Sequence, residues 1–271
     1  MPGRRFLDAG GPIAFAHRGG AGEAPENTVP AFEAAVGMGY RYLETDVHVS
    51  RDGVLFAFHD AKLDRVTDRR GRIGDLRSDE IRAADAGFWF TTDFGSTYPW
   101  RGHGVRVPAL EELLTRWPDV FVNIDPKTDA CVEPLAALIR RLAIFDRVCV
   151  GSFSDARTAR VRALCDGRVC TSMGQRAVAA ARLAAMWRLP VPKAGADCIQ
   201  APIRWRGLSV VDATLIRAAH RSGLAVHVWT VNAEPVMHSL LDAGVDGIMS
   251  DRPRLLKEVL VARSAWTGAS S

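Results

Sequence analysis

Residues 40–58 read YRYLETDVHVSRDGVLFAF, and the way this run folds decides the strand count of the whole chain. Residues 40–47 and 54–58 are both apolar runs of strand length, separated by a few residues that include Ser50, Arg51, Asp52 and Gly53. A right-handed parallel crossover needs a dozen or more residues, so the two runs cannot be successive parallel strands. An Asp-Gly turn closes an antiparallel hairpin instead. Residues 54–58 are therefore expected to form a hairpin arm on the strand 40–47.

Outward from this point the same kind of run recurs at 13–17, 120–125, 147–152, 168–172, 197–201, 225–230 and 246–250. With 40–47 these make eight parallel strand candidates, alternating with Ala, Leu and Arg-rich helical stretches. The expected fold class is α/β, a TIM-type (β/α)8 barrel with an antiparallel hairpin arm after strand 2 and an inserted segment before strand 3. Asn27 or Thr28 offers a cap for a first helix with Pro30 in its opening turn, and Gly37 and Gly39 stop it.

The chain has 271 residues, and a β/α barrel typically uses about 250 as one unit. No low-complexity linker divides it, so a single domain over 1–271 is expected. About sixty residues separate His59 from the strand at 120, far more than a usual βα loop, which places an insertion at about 60–107. Phe88, Trp89, Phe90, Phe94, Tyr98 and Trp100 crowd one part of it. They read as a small core of the insertion packed on the barrel, with a lid or lipid-facing wall as the alternative. The tail 262–271 is expected to fray.

Composition narrows the function classes. The net charge of +4 is too dilute for nucleic-acid binding, and no apolar run approaches the ~18 residues of a membrane span. Charge and glycine interrupt the N-terminal stretch that a signal peptide needs. A cytoplasmic location is the expectation, with peripheral lipid contact left open and no indication of oligomeric state. The five cysteines, odd in number and without CxxC spacing, point to a reducing compartment, with no disulfide framework and no thiolate metal site.

In a β/α barrel the chemistry lies at the C-terminal ends of the strands. There the first strand ends in His17 and Arg18, the second carries Glu44 and Asp46, the hairpin arm leads into His59 and Asp60, and the third reaches Asp125 and Lys127. Glu44 and Asp46 are two apart on a strand, so both point into the barrel mouth. With Asp125 as a third oxygen donor they suit a hard cation, Mg²⁺ or Ca²⁺. Two imidazoles, one neutral and one protonated, can deprotonate a nucleophile and protonate a leaving alkoxide. Arg18 and Lys127 supply the positive donors that phosphate oxygens need.

Five stretches then carry a resemblance. AHRGGAGEAPENTVPAF (16–32), YLETDVHVSRDG (42–53), FAFHDAKLDRVTDRRG (56–71), VPALEELL (107–114) and the late VHVWTVN and GIMSDRP together resemble the glycerophosphodiester phosphodiesterase family. The resemblance implies a metal-dependent hydrolase on a TIM-type barrel, cleaving small-molecule glycerophosphodiesters to sn-glycerol 3-phosphate and an alcohol. It implies that His17 and His59 are the acid/base pair, that Glu44 and Asp46 are metal ligands and that Arg18 and Lys127 bind phosphate. Trp229 matches the substrate-contacting aromatic of the family. Asp125 departs from the usual pattern, where Glu stands in an E-x-K context. Ligation by Asp125 is still expected, but the choice between Mg²⁺, Ca²⁺ and Mn²⁺ stays open.

Two alternatives remain. Lysophospholipase D action on lysophospholipids is motivated by the aromatics of 88–100 and by a helix over 175–189, whose Met186, Trp187 and Leu189 would approach a membrane while Arg176, Arg182 and Arg188 meet anionic headgroups. A catalytically silent phosphodiester-binding barrel would require a missing histidine or acid. None is missing.

Overall fold

The computed structural model describes residues 4–269. Its strands are β1 (Ile13–His17), β2 (Tyr42–Val49), β3 (Leu55–Ala57), β4 (Phe121–Pro126), β5 (Val148–Val150), β6 (Cys170–Thr171), β7 (Cys198–Pro202), β8 (Arg204–Trp205), β9 (Leu208–Ser209), β10 (Ala225–Trp229) and β11 (Gly247–Ser250). The helices are α1 (Val29–Gly37), α2 (Ser78–Arg82), α3 (Leu110–Arg116), α4 (Val132–Leu142), α5 (Asp155–Leu164), α6 (Gln175–Met186), α7 (Ala213–Arg221), α8 (Glu234–Asp242) and α9 (Pro253–Ala262).

Eight parallel strands follow one another in the order β6-β5-β4-β2-β1-β11-β10-β7. The ring closes between β6 and β7 through the Ser172–Cys198 bridge, where the Asp197 N–H donates to Thr171 O at 2.9 Å and the Met173 N–H to Cys198 O at 3.0 Å. All eight expected runs are barrel strands, and β3 pairs antiparallel with the end of β2, Val47 opposite Ala57. The small hairpin β8–β9 after β7 is an element that the hydrophobic pattern did not indicate.

The strand alternation sorts side chains between two environments. On β2, Leu43 and Val47 pack outward with helix residues such as Ala35 and Leu114, while Tyr42, Glu44 and Asp46 are buried on the inner side. Thr28 caps α1 by accepting from the Ala31 N–H, and Pro30 fits the first turn because it has no N–H to leave unpaired. At the strand-start end of the barrel, Phe6 seals the interior against Tyr42 (5.4 Å between ring centroids), Phe121 (5.9 Å) and Phe15 (6.2 Å).

The five cysteines are buried free thiols, and among the described residues the sulfurs of Cys149, Cys170 and Cys198 lie within 4.8 Å of one another. They come from three strands, so no spacing in the sequence reveals their meeting. They pack in the same apolar cluster as Phe6.

Three expectations need correction. The aromatics of the insertion form a cage: the Arg101 guanidinium lies 4.3 Å from the Phe88 ring centroid, 4.9 Å from Trp89 and 3.9 Å from Tyr98. No residue of 60–107 borders the large cavity described below, so this stretch is neither its lid nor its wall. Helix α6 stops at Met186 rather than at 189 because Arg188 takes a positive φ of 57° and Pro190 follows. The C-terminal stretch is docked rather than frayed: Trp266 packs on Tyr40 with centroids 5.1 Å apart, and the Ala269 N–H donates to Gly39 O at 2.9 Å. Ser270 and Ser271 lie outside the described residues.

Phe6→Ala opens the sealed end of the barrel. The expected cost is about 3–4 kcal/mol of unfolding free energy, measured by urea denaturation against the parent chain.

Candidate active site

The loop after β1 is where the sequence bends the chain hardest. Arg18, Gly19 and Gly20 take φ of 53°, 82° and 106°, conformations that suit glycine and strain arginine. A Cβ on Gly19 would fall 2.8 Å from Ala31 Cβ, so only glycine lets the loop lie against α1. The bend turns the Arg18 N–H onto Glu44 Oε2 at 3.1 Å and sets the Arg18 guanidinium 3.0 Å from Asp46 Oδ2.

The acids of β2 and β4 share their counter-charges. Lys127 Nζ stands 2.5 Å from Asp46 Oδ1 and 2.6 Å from Asp125 Oδ2, and the Asn27 amide donates to Asp46 Oδ2 at 3.2 Å. Asn27 is thus held over the acids, while Thr28 does the capping. Burial works against the charge on Asp46, but Lys127 and Arg18 outweigh it and hold its pKa at about 2. Glu44 has no such pair: burial and the neighbouring Asp46 push it up to about 7, against the pull of His17 and Arg18. Asp125 is also raised, because its burial outweighs Lys127. Lys127 is raised in turn by Asp46 and Asp125 against its own burial.

Each of the two strand-end histidines is oriented by a carboxylate. His17 Nδ1 lies 2.6 Å from Asp251 Oδ1, and His59 Nδ1 lies 2.6 Å from Asp60 Oδ1. Such contacts place the proton on Nδ1 and leave Nε2 with a free lone pair in the neutral ring. Burial lowers the pKa of His17, yet Glu44 and Asp251 together raise it above the ordinary imidazole value. The orienting acids are themselves fixed. Asn232 donates to Asp251 Oδ2 at 2.7 Å, and Arg65 grips both Asp60, at 2.6 Å, and Glu26.

His17, Arg18, Glu44, Asp46, His59, Asp125, Lys127 and Trp229 all line one cavity of about 750 Å³ at the strand C-termini. Its floor is polar: Gln200 Nε2 donates to Asn123 Oδ1 at 2.8 Å and lies 3.3 Å from His227 Nδ1. Gly151 makes room for it, since a Cβ there would meet Gln200 Oε1 at 2.6 Å. One side of the cavity is apolar, with Trp229, Phe153 and Trp205 in succession at centroid separations of 5.5 and 6.0 Å. Trp205 belongs to that outer wall.

Three buried carboxylates against Lys127 and Arg18 leave an excess of oxygen donors, and Glu44, pushed up to about 7, is the one least compensated. That chemistry fits a hard cation at Glu44 and Asp46. Asp125 faces the same cavity but is engaged by Lys127.

Sequence reasoning assigned no role at the site to Asp251, Asp60, Asn232 or Glu26, and read Asn27 only as a helix-cap candidate. Glu26 and Asn27 lie in the PENT stretch and Asp251 in GIMSDRP, so the motifs contained them without saying that they orient the histidines and hold the acids.

The model of the Glycerophosphoryl diester phosphodiesterase family matches residues 17–255. A Mycobacterium tuberculosis protein described as a probable glycerophosphodiester phosphodiesterase 2 is 39% identical over 99% of this chain and 98% of its own. The crystal structure of a putative glycerophosphoryl diester phosphodiesterase from Silicibacter pomeroyi superimposes with a TM-score of 0.81 at 24% identity, covering 97% of this chain and 99% of that one. More distantly, a rat lysophospholipase D is 26% identical over 93% of this chain and 85% of its own. A barrel whose mouth gathers two carboxylate-held histidines, three acids and the cations Arg18 and Lys127 fits a phosphoric diester hydrolase. The chain belongs to the glycerophosphoryl diester phosphodiesterase family.

Asp251→Ala removes the acceptor that orients the His17 ring through Nδ1. Loss of such an orienting partner typically costs about 10–100-fold, so a fall of that size in kcat with little change in KM is expected from steady-state hydrolysis of glycerophosphocholine.

Proposed function

We propose that the chain hydrolyses glycerophosphodiesters to sn-glycerol 3-phosphate and an alcohol, with His17 and His59 as acid and base at a divalent cation. The observation that carries this reading is the pair of imidazoles on one cavity, each held through Nδ1 by its own carboxylate at 2.6 Å. One imidazole accepts the proton of the attacking hydroxyl, from water or from the glycerol itself, and the other protonates the departing alkoxide. Arg18 and Lys127 meet the phosphoryl oxygens, and Trp229 contacts the glycerol or headgroup side. The group expected at Glu44 and Asp46, with Asp125 as third donor, is Mg²⁺ or Ca²⁺, with Mn²⁺ the remaining choice; when bound it withdraws charge from the phosphoryl group. The substrate is a small molecule, and the proposed location is the cytoplasm. No helix among the described residues is long and apolar enough to cross a membrane. The silent-barrel reading loses its ground, because the full set of side chains faces one cavity.

Each of His17→Ala and His59→Ala is expected to lower kcat by at least ~10², and near-parental turnover in either variant overturns the assignment. Protein stripped with EDTA is expected to lose hydrolysis of glycerophosphocholine, glycerophosphoethanolamine and glycerophosphoglycerol, and to regain it when one of the three ions is added back.

The apolar side of the cavity supports a second substrate class, lysophospholipids, whose acyl chain would lie along Phe153 and Trp205. Choline release from lysophosphatidylcholine but not from glycerophosphocholine would make this the main activity; the reverse confines the enzyme to water-soluble diesters.

A further inference from the structure

The cavity rim is apolar and basic together. Phe153, Leu183, Met186, Trp205 and Leu208 border the cavity and are all exposed, Leu183 at 59% and Leu208 at 73%. They come from the loop after β5, from α6 and from the β8–β9 hairpin. Helix α6 buries Val178, Ala181 and Ala185, which leaves Leu183 and Met186 on its open side. In the hairpin Trp205 pairs directly with Leu208, so both stand on one face of the ribbon. Arg206 and Gly207 between them take φ of 48° and 83°. This is the two-residue turn with both central φ positive that matches strand twist, and it holds the tip in a fixed shape.

Charge gathers in the same stretch. The exposed cations beside this rim are Arg176 at the start of α6 and Arg204 and Arg206 on the hairpin, whereas Lys193 lies by Gly223 at the strand-start end of the barrel. Arg182 is paired with Asp212 and Asp197 with Arg4, while Arg204 and Arg206 flank Trp205 in the open. Tryptophan beside arginine suits the boundary between headgroups and acyl chains, where the ring is half-desolvated and the guanidinium meets phosphate. A second copy of the chain is a poor occupant, because a two-fold contact sets this positive face against itself. A surface of opposite charge is a good one.

We infer that the rim formed by α6 and the β8–β9 hairpin docks on an anionic lipid surface, with Trp205, Leu208, Leu183 and Met186 at the acyl boundary and Arg204 and Arg206 on the headgroup phosphates. Binding is peripheral, the cavity mouth opens at the lipid, and the attachment is independent of which diester is cleaved.

The test is co-sedimentation of the whole chain, without substrate, with vesicles of phosphatidylcholine alone and of phosphatidylcholine mixed with phosphatidylglycerol. Binding is expected to the mixed vesicles and not to the neutral ones, and to weaken as salt screens the arginines. The double variant Arg204→Glu/Arg206→Glu, at two exposed residues that do not line the cavity, is expected to bind at least about tenfold more weakly while hydrolysing soluble glycerophosphocholine at the parental rate. Leu208→Ser is expected to weaken vesicle binding as well. Failure of the parent chain to sediment with anionic vesicles overturns the inference, as does parental binding by the double variant. A dimer on size exclusion that Leu208→Ser dissociates overturns it too and gives the face to a second copy. Because vesicle binding is read without turnover, a failed docking test and a failed hydrolase assay point to different errors.

Discussion

Two carboxylates on one face of a buried strand, with a third on the strand beside them, set the terms for everything at this barrel mouth. Charges that close and that dry repel strongly, and an acid left uncompensated there is costly. The answer is a shared-cation arrangement in which Lys127 sits between Asp46 and Asp125 while Arg18 covers Asp46 from above. The requirement propagates outward. Arg18 reaches its place only because the loop after β1 enters the left-handed region, and the two glycines that follow let that loop lie flat against α1 and α9. Glu44, whose neighbours are the Arg18 N–H and the His17 ring 3.7 Å away, is pushed up to about 7 by burial and by Asp46.

The same logic of held charge explains how the two histidines come to be usable. His17 is on the barrel ring and His59 beyond the hairpin arm, yet both meet a carboxylate at the same short distance through the same nitrogen. One carboxylate arrives from the far end of the chain at Asp251, the other from the next residue at Asp60. Their supports differ as well, an amide for Asp251 and a guanidinium for Asp60. Two unrelated local solutions therefore give one outcome, an imidazole whose outward nitrogen faces the cavity with its tautomer fixed.

Much of this was legible in the sequence because its physics is local. Strand runs, the Asp-Gly turn, the cap at Thr28 and the two-residue spacing of Glu44 and Asp46 are all set within a few residues of chain. What stayed hidden depends on meetings between distant strands. Cys149, Cys170 and Cys198 have no motif spacing because each is contributed by a different strand, and Asp251 is 234 residues from the histidine it holds. The Arg101 cage shows the limit of composition: a crowd of aromatics that reads as a small core is instead wrapped around a cation. The apolar wall that was the alternative reading of those aromatics is formed by α6, which the sequence also offered for it, and by a hairpin of four paired residues, too short for periodicity to reveal.

The hairpin arm has a further architectural effect. The Ala57 N–H donates to Pro108 O at 3.0 Å, and Phe56 bridges Ala109, so the chain departs for residues 60–107 and returns at the same place on the barrel. A loop pinned shut at its base pays little extra entropy as it lengthens. The excursion is in effect a cassette: beyond Asp60 and Arg65, which hold His59, its length is free to change while the clasp keeps the strand that leads to His59 in register with β2.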